Sequence, residues 1–339
     1  PEVRVYLPFR NSLIFNFFDN PEYVFFLKEK NQRAFTNSYS FGIKYLLFYS
    51  FVISAQYHYD EHRRRVSSEF GHQTMDIDKG YQWGVFYETA RRTSLGFTAT
   101  VDRRGFEDVH TEEGEIFLSR VLNREERSGT VEFNYELFWN GFFFLTAGYT
   151  EYRFEHEQSF WRNAHSYQGY AGIRFPLLGA VRGILSLGYK KFIPRLEGRG
   201  DFSGIVGNTE LDIRMGRVGF RLGYSRDNVF SYWTSVLFFI ENRYFAGISF
   251  YLARFLRIDY NLNIGRSIYP EPFPVWSDAG EYTEILRRDN QLTHSAGLVF
   301  RVFKSTGLGL IWNSARWTSS WSGWNRKRNF IGAFLTHQF

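Results

Sequence analysis

The stretch that decides the fold is Asn329-Phe-Ile-Gly-Ala-Phe-Leu-Thr-His-Gln-Phe339, at the end of the sequence. Apolar residues occupy alternate positions in it, at Ile331, Ala333, Leu335 and Phe339. Successive side chains of a β-strand point to opposite faces, so this alternation predicts a strand with one apolar face. One such strand is common in many folds, and its meaning depends on whether the rest of the chain repeats it.

The alternation recurs along the sequence, most clearly between residues 256 and 268. One face of this segment is apolar and consists of Leu256, Ile258, Tyr260, Leu262 and Ile264. The opposite face is polar or small and consists of Arg257, Asp259, Asn261, Asn263 and Gly265. A strand of this kind has lipid on one side and water on the other. Together with the terminal Phe339, the pattern resembles that of bacterial outer-membrane β-barrels, which implies an integral outer-membrane location.

Composition agrees with strands rather than helices as the membrane-spanning elements. The 339 residues include 69 aromatic residues and no Cys, and the mean hydropathy is −0.35. No run approaches the roughly 18 apolar residues that a membrane helix needs. The mean hydropathy does not reveal membrane strands, because the contributions of alternating lipid-facing and lumen-facing residues cancel.

The 41 basic and 35 acidic residues are interleaved, so we expect no nucleic-acid partner. The start at Pro1 shows no export signal, so we expect a mature or trimmed product.

Short turns and long polar stretches alternate along the chain. The short turns lie near Phe48–Ser50, Ala90–Arg92, Trp139–Gly141, Pro176–Ala180, Gly216–Arg217, Ala253–Arg254 and Phe303–Lys304. The long stretches are 19–35, 61–77, 104–127, 156–164, 194–206, 226–240, 269–289 and 317–325. Outer-membrane barrels have short periplasmic turns and longer outer loops. We therefore predict one domain, residues 1–339, that forms an all-β, antiparallel, up-and-down transmembrane barrel of about sixteen strands and ends on the Phe339 strand.

Two segments complicate the count. Residues 115–122 and 232–239 could each add a strand, which would give eighteen. Counting them places a long loop on the turn side, so sixteen is preferred, with both termini on the periplasmic side. Aromatic residues gather near the short turns, as in an interfacial girdle. A soluble β-sandwich is the alternative, but it could not readily supply sixteen strands that share one apolar face.

Charges on the inward face are unevenly distributed. An acidic set on the early strands, here called the acidic wall, consists of Asp60, Glu88, Asp102, Glu132 and Glu136. A basic set on the later strands, the basic wall, consists of Arg174, Lys190, Arg214, Arg221, Arg243, Arg257 and Arg301. We expect opposing walls whose field orients polar or zwitterionic solutes and gives a mild preference for anions. The alternative is that these charges pair within each wall, for example through Asp212 and Asp259.

Glycines recur on the same inward face. They are Gly42, Gly84, Gly96, Gly148, Gly172, Gly188, Gly223, Gly247, Gly297 and Gly309. They ease strand bending or widen the lumen, and the sequence leaves both interpretations open. Sixteen strands are enough to leave an aqueous channel unless loops or a separate domain fill it.

Two outer loops have distinctive compositions. The third, residues 104–127, is rich in charge, and general porins fold their third loop into the lumen as a constriction. Here we expect a solvated surface loop, with the constriction as the alternative. The seventh loop contains Tyr269-Pro-Glu-Pro-Phe-Pro274 and Trp276, and its prolines would stiffen it as a lid or a partner surface.

The sequence contains no recognisable set of catalytic residues. His58 and Asp60 lie two apart on the inward face, which would suit a proton relay, but no nucleophile accompanies them in a recognisable arrangement. The eight histidines show no metal-ligand spacing, and Cys is missing. We therefore predict no enzyme, no cofactor and no metal site.

Three stretches resemble the barrel porins found beside exopolysaccharide genes. They are residues 11–26, residues 226–268, and the ending from Trp324 to Phe339. The resemblance implies a channel in Gram-negative bacteria that passes polar solutes or an exported polysaccharide. The alternative is a barrel scaffold or translocon for a protein partner, such as a surface lipoprotein, an export complex or a cytochrome. Expected partners are outer-membrane lipid, a periplasmic or surface protein, and the barrel-assembly machinery, for which Phe339 would be the signal.

Overall fold

The computed structural model describes residues 3–10, 12–24, 34–48, 50–64, 69, 74–89, 92–111, 114–137, 141–178, 180–276, 282–303, 306–321 and 324–337. One antiparallel sheet of 17 strands, here called the wall, makes up most of this part of the chain. Its strands are β1 (Val3–Phe9), β2 (Leu13–Val24), β3 (Ala34–Phe48), β4 (Phe51–Arg64), β5 (Thr74–Glu88), β6 (Thr93–Phe106), β9 (Arg124–Glu136), β10 (Phe142–Phe154), β11 (Ala164–Leu178), β12 (Val181–Pro194), β13 (Phe202–Met215), β14 (Val218–Phe230), β15 (Phe238–Ala253), β16 (Leu256–Ile268), β19 (Arg288–Arg301), β20 (Thr306–Ser319) and β21 (Arg326–His337).

Smaller elements lie in the long connections. Two hairpins stand outside the wall, β7 (Val109–Thr111) with β8 (Gly114–Ile116), and β17 (Phe273–Trp276) with β18 (Tyr282–Ile285). Helix α1 spans Leu118–Leu122, and a 3-10 helix spans Glu157–Arg162. Among the described residues, no helix has the length and apolar character needed to cross a membrane.

Each wall strand from β2 to β20 pairs with the wall strands before and after it in chain order, whereas β1 pairs with β2 and β21 pairs with β20. The registers are long and nearly regular, as in the β10–β11 pair, where Phe142 faces Arg174 and Tyr152 faces Ala164. The predicted all-β, up-and-down antiparallel topology is therefore confirmed. Short turns join every second pair of strands; Gly216, with φ +58°, begins the two-residue turn between β13 and β14. Such a backbone conformation favours glycine because it has no Cβ.

The wall has 17 strands, one more than the preferred count of sixteen. The extra strand is β1, which folds back onto β2 after Arg10, a residue with φ +55°. Neither of the two ambiguous segments adds a wall strand. Residues 115–122 contain the end of β8 and helix α1, and residues 232–239 form a connection and the start of β15. As a result, β1 begins at the end of the wall that carries the long connections, not at the turn end.

The outward face of the wall is apolar and exposed. Tyr189 of β12 and Ile205 of β13 are register partners, and their exposed fractions are 55% and 57%. The next residues along β12, Lys190 and Phe192, lie on the other face and are buried. A wide band of exposed Leu, Ile, Tyr and Phe is unfavourable in water but matches the hydrocarbon layer of a membrane.

The wall curves strongly around its inward face. The Arg124 guanidinium of β9 lies 4.9 Å from the ring centroid of Phe230, at the end of β14. Five strand-to-strand steps separate β9 from β14, which is about 24 Å along the sheet at the usual strand spacing. A contact this short across that distance shows that the sheet curves around a space on its inward face, here called the lumen.

Candidate functional site

Strand registers place the predicted charged residues on the lumen face. Glu132 of β9 is the register partner of Gly96 in β6, and Asp212 of β13 is the register partner of Arg221 in β14. The same alternation puts all the members of the acidic and basic walls that the structure describes on the face opposite the apolar band. Phe339, the predicted assembly signal, lies outside the described residues.

Most members of the acidic wall have basic neighbours. Glu136 lies 2.8 Å from the Arg92 guanidinium, and Asp102 lies 3.6 Å from His58 Nε2. Asp60 lies 4.0 Å from His62 Nε2. For Glu88, no ion pair is present within the described residues. The acidic wall therefore contains local ion pairs in addition to its excess of carboxylates.

The basic wall is paired to a similar extent. Its ion pairs are Lys190–Asp227 at 2.8 Å, Arg221–Asp212 at 2.9 Å, Arg243–Glu241 at 2.7 Å and Arg257–Asp259 at 2.8 Å. Arg174 reaches Glu132 at 3.8 Å and so links the basic wall to the acidic wall. Within the described part of the chain, Arg214 and Arg301 make no ion pair. These two arginines therefore add positive charge to the basic wall that no carboxylate of the described residues offsets by an ion pair.

Aromatic rings lie over several of the inward glycines. A methyl group added at Gly96 would be 2.7 Å from Cδ1 of Phe86, and one added at Gly172 would be 2.5 Å from Cζ of Phe144. Gly309 meets the ring of Phe334 even more closely. These glycines therefore make room for rings from the neighbouring strands, which fill the space that a side chain would occupy.

Two polar cavities lie along the basic wall. The first has a volume of about 500 Å³, and the second has a volume of about 600 Å³. Arg221 borders both cavities. The first is also lined by Asn208, Glu210, Arg243, Asn263, Gln291 and Trp317. Amide, guanidinium and indole groups around one cavity suit hydrated polar solutes rather than apolar ones.

Side chains from several long connections meet at one end of the lumen, here called its mouth. We call this group the mouth cluster; it consists of Glu69, Leu118, Leu122, Arg162, Ser231, Tyr232, Trp233, Tyr269, Phe273, Arg287, Trp321 and Trp324. The sequence offered the seventh loop as a lid and the third loop as a constriction, but it did not predict the cluster itself, because its members come from separate loops and share no local pattern.

Glu69 is fully buried at the centre of the mouth cluster. Its carboxylate accepts hydrogen bonds from the Ser231 hydroxyl at 2.8 Å and from the Tyr232 backbone N–H at 3.0 Å. Burial raises the pKa of Glu69 to about 7, against the opposing effects of these hydrogen bonds, the Tyr269 hydroxyl and the positive charge of Arg287. The carboxyl group therefore changes its charge near neutral pH.

Arg162, at the end of the 3-10 helix, is fully buried as well. Its guanidinium donates to the backbone carbonyls of Ser231, Trp233 at 3.3 Å and Leu237 at 3.4 Å. It also lies 5.4 Å from the ring centroid of Phe154. Burial lowers the pKa of Arg162 to about 9, so the side chain remains charged at neutral pH. One arginine thus holds the whole β14–β15 connection against the β10–β11 connection.

Arg287 is the second fully buried arginine. It forms an ion pair with Asp289, with Nη2 and Oδ2 2.7 Å apart. Five aromatic rings surround its guanidinium at centroid distances between 4.9 and 5.8 Å; they belong to Trp233, Tyr269, Phe273, Trp321 and Trp324. Ring faces attract cations, and the attraction strengthens where water is excluded.

The third loop takes part in this closure, so the expectation that it is a solvated surface loop is wrong. Helix α1 buries Leu118 and Leu122, which are four residues apart and share one helix face. They pack with Phe106, and Phe230 and Tyr232 from the β14 side of the mouth pack against them. The apolar pair was present in the sequence, but the surrounding charges concealed it.

His58 is part of a second grouping that the sequence did not predict. Its close carboxylates are Asp78 and Asp102, whereas the predicted partner Asp60 lies near His62. His58, Asp78 and Asp102 belong to three successive strands and come together only in the folded wall. The proposed proton relay of His58 with Asp60 is therefore not the arrangement that the structure shows.

Comparison with known proteins bears on the fold. No protein-family profile and no curated protein matches the sequence. The ferripyoverdine receptor of the Pseudomonas aeruginosa outer membrane is 8% identical, with a TM-score of 0.54 over 100% of this chain and 57% of the receptor. The siderophore receptor PirA from the same species is 10% identical (TM-score 0.50; 100% and 69% covered). The FrpB iron transporter from Neisseria meningitidis is 9% identical (TM-score 0.51; 94% and 60% covered).

These likenesses concern the fold. The fold is that of outer-membrane β-barrels, and the apolar outward band fits the same environment. The chain is an integral protein of the bacterial outer membrane, as the alternation in its sequence predicted. It spans 57% and 60% of the length of two of these neighbours, so the likeness concerns the wall and not their complete architecture.

Proposed function

We propose that this chain forms a gated outer-membrane channel for polar solutes and that the mouth cluster is its gate. The observation that carries the proposal is the buried contact of Glu69 with Ser231 and Tyr232, which joins opposite sides of the lumen mouth. Behind this closure, polar cavities follow the basic wall. A polar passage under a closed, loop-built cover suits regulated passage better than a permanently open pore.

The chemistry of the lumen supports the choice of cargo class. Arg221, Arg243, Asn263 and Gln291 present hydrogen-bond donors and acceptors at one cavity, beside Trp317. Sugars and other hydroxylated solutes use such combinations, because amide and guanidinium groups form hydrogen bonds with their hydroxyls. Passage of an exported polysaccharide is the narrower form of this proposal, in line with the sequence resemblance to barrel porins found beside exopolysaccharide genes.

Transport as the general role is also supported by the structural neighbours. The neighbours include a ferripyoverdine receptor of the outer membrane, a siderophore receptor and an iron transporter. A weak preference for anions remains part of the proposal, because Arg214 and Arg301 have no ion-pair partner within the described residues. A scaffold for a protein partner is the competing function, and it would use the same rigid mouth without passing solute.

Planar-bilayer conductance of wild-type protein and the Glu69→Ala variant tests the gate directly. We expect rare openings from the wild type and frequent, stable steps from Glu69→Ala, because the variant loses the buried contact across the mouth. The exposed Glu157→Ala variant, in the loop that carries Arg162, is the matched control and should behave like the wild type. Silence from a correctly folded Glu69→Ala variant would overturn the channel proposal and favour a scaffold. Equal, frequent steps from both proteins would show that the mouth cluster is not a gate.

A further inference from the structure

Three potential metal ligands converge on the lumen face of the early strands. His58 Nε2 of β4 lies 3.6 Å from Asp102 Oδ1 of β6 and 3.9 Å from Asp78 Oδ1 of β5. The three ligand atoms all lie within 4.8 Å of one another. An imidazole nitrogen and two carboxylate oxygens are a common donor set for divalent first-row metals in proteins.

The register of strands β4, β5 and β6 explains why these side chains can meet. Gly80 of β5 is the register partner of His58 on one side and of Asp102 on the other. Because Gly80 has no side chain, His58 and Asp102 approach each other over its backbone, although two strand spacings separate them. A methyl group at Gly80 would lie 2.1 Å from Asp102 Oδ1 and 2.5 Å from the Val101 carbonyl oxygen. The grouping therefore depends on a glycine at this one position.

The carboxylate oxygens that face His58 have few other interactions. Asp78 Oδ1 and Asp102 Oδ1 are almost inaccessible to solvent and accept no hydrogen bond from the described residues. The second oxygen of Asp78, Oδ2, faces Arg104 Nε at 3.6 Å, which leaves Oδ1 directed at the grouping. Two carboxylates this close repel each other, and buried oxygens without donors are costly. A cation between them would remove both penalties.

We propose that His58, Asp78 and Asp102 form a binding site for a divalent first-row metal ion of the Zn²⁺ class. Ligand atoms around tetrahedral Zn²⁺ are about 3.4 Å apart when each bond is about 2.1 Å. The observed separations from His58 exceed this value by a few tenths of an ångström, which small side-chain rotations remove. Three protein ligands leave the fourth position to water or to a donor group of a passing solute. The site is independent of the gate and would link strands β4, β5 and β6 in the acidic wall.

Titration of the purified, folded chain with Zn²⁺ by isothermal calorimetry tests the site, and Co²⁺ absorption reports its geometry. We expect one saturable site per chain, with at least tenfold weaker binding for His58→Ala and for Asp102→Asn. His62→Ala is the matched control, because His62 lies four residues further along β4 on the same face and contacts Asp60 and Ser38 instead. Its affinity should remain within twofold of the wild type.

Two results would overturn the metal site. One is a lack of saturable Zn²⁺ or Co²⁺ binding by folded wild-type protein, which would mean that a protonated His58 alone neutralises the two aspartates. The other is equal loss of binding in His58→Ala and His62→Ala. Gly80→Ala gives a second test that keeps all three ligands, and it should weaken Zn²⁺ binding by at least tenfold while the β-sheet circular dichroism spectrum is retained. Unchanged Zn²⁺ affinity in Gly80→Ala would contradict the predicted geometry.

Discussion

The Glu69 carboxylate accepts a hydrogen bond of 2.8 Å from the Ser231 hydroxyl, although the two positions are 162 residues apart in sequence. Glu69 belongs to the β4–β5 connection and Ser231 to the β14–β15 connection, and six wall strands separate β5 from β14. Glu69 and the β14–β15 connection therefore meet over the lumen. This contact, enclosed by two buried arginines and several aromatic rings, is the structural basis of the proposed gate.

Gate closure should depend on pH through Glu69. Burial raises the pKa of this carboxyl from 4.5 to about 7, so the closed cluster binds the proton more tightly than an open, hydrated loop does. Closure is then most stable below pH 4.5 and loses on the order of 3 kcal/mol as the pH rises to 7. We expect single-channel open probability to be at least tenfold higher at pH 8 than at pH 5.

The Glu69→Gln variant separates this effect from other titrations. Glutamine resembles the protonated carboxyl, so the variant should stay mostly closed from pH 5 to pH 8. The exposed Glu157→Gln variant is the control and should keep the pH response of the wild type. A pH response in Glu69→Gln as large as that of the wild type would assign the effect to another group.

Arg162 should hold the β14–β15 connection in place. Replacing it with Met removes the donor for three backbone carbonyls but retains much of the apolar volume. Unpaired buried carbonyls are costly, so we expect local closure to weaken by about 3 kcal/mol or more. Hydrogen exchange of residues 231–237 measures this directly and should become at least a hundredfold faster. Arg153→Met, at an exposed arginine of β10, is the control, and equal acceleration in both variants would refute the role of Arg162.

The packing of rings on glycines should contribute to wall stability. A methyl group at Gly172 would lie 2.4 Å from the Leu185 carbonyl oxygen and 2.5 Å from Cζ of Phe144, so Gly172→Ala forces both to move. We expect a loss of about 1–3 kcal/mol, measured by urea unfolding in micelles. Gly169→Ala on the same strand is the control, since its nearest atom, the Thr146 carbonyl oxygen, would be 3.7 Å away. Equal stability of the two variants would exclude this packing effect.

Ion selectivity should depend on Arg214 and Arg301, which make no ion pair with the residues that the structure describes. Replacing both Arg214 and Arg301 with Gln in an opened variant, Glu69→Ala, should shift the reversal potential in a salt gradient away from anion preference. Arg103→Gln removes a cation from the outward face, where Arg103 pairs with Glu155, and should leave the reversal potential unchanged. A reversal potential that shows cation preference in the Glu69→Ala parent would contradict the hypothesis of a positive lumen.

The wall could be predicted from sequence because strand alternation and short turns are determined by residues that are close together in the chain. Alternation of period two assigned Leu256, Arg257 and their neighbours to opposite faces, and turn residues placed seven of the short connections. The β1–β2 turn was missed, since Arg10 is an uncommon residue at positive φ and gives no turn signal. Because this hairpin was not predicted, the predicted strand count was one too low, but the predicted faces of the other strands were not affected.

The mouth cluster and the grouping around His58 could not be predicted in the same way. Glu69 meets Ser231 only because loops from opposite sides of a curved sheet converge, and no spacing in the sequence encodes this distance. His58 and Asp102 meet because Gly80 lies between them in the ladder, which requires the register of three strands. Both sites depend on contacts between distant segments, where single-sequence patterns carry no signal.

The closure is tested most directly by linking its two sides. The chain has no Cys, so Glu69→Cys with Ser231→Cys introduces two unique thiols that a short reducible bis-thiol cross-linker can join. The linked protein should be silent in planar bilayers, and reduction should produce stable conductance steps, because the variant lacks the Glu69–Ser231 hydrogen bond. Identical currents before and after reduction, or silence in both states, would contradict a gate at the lumen mouth.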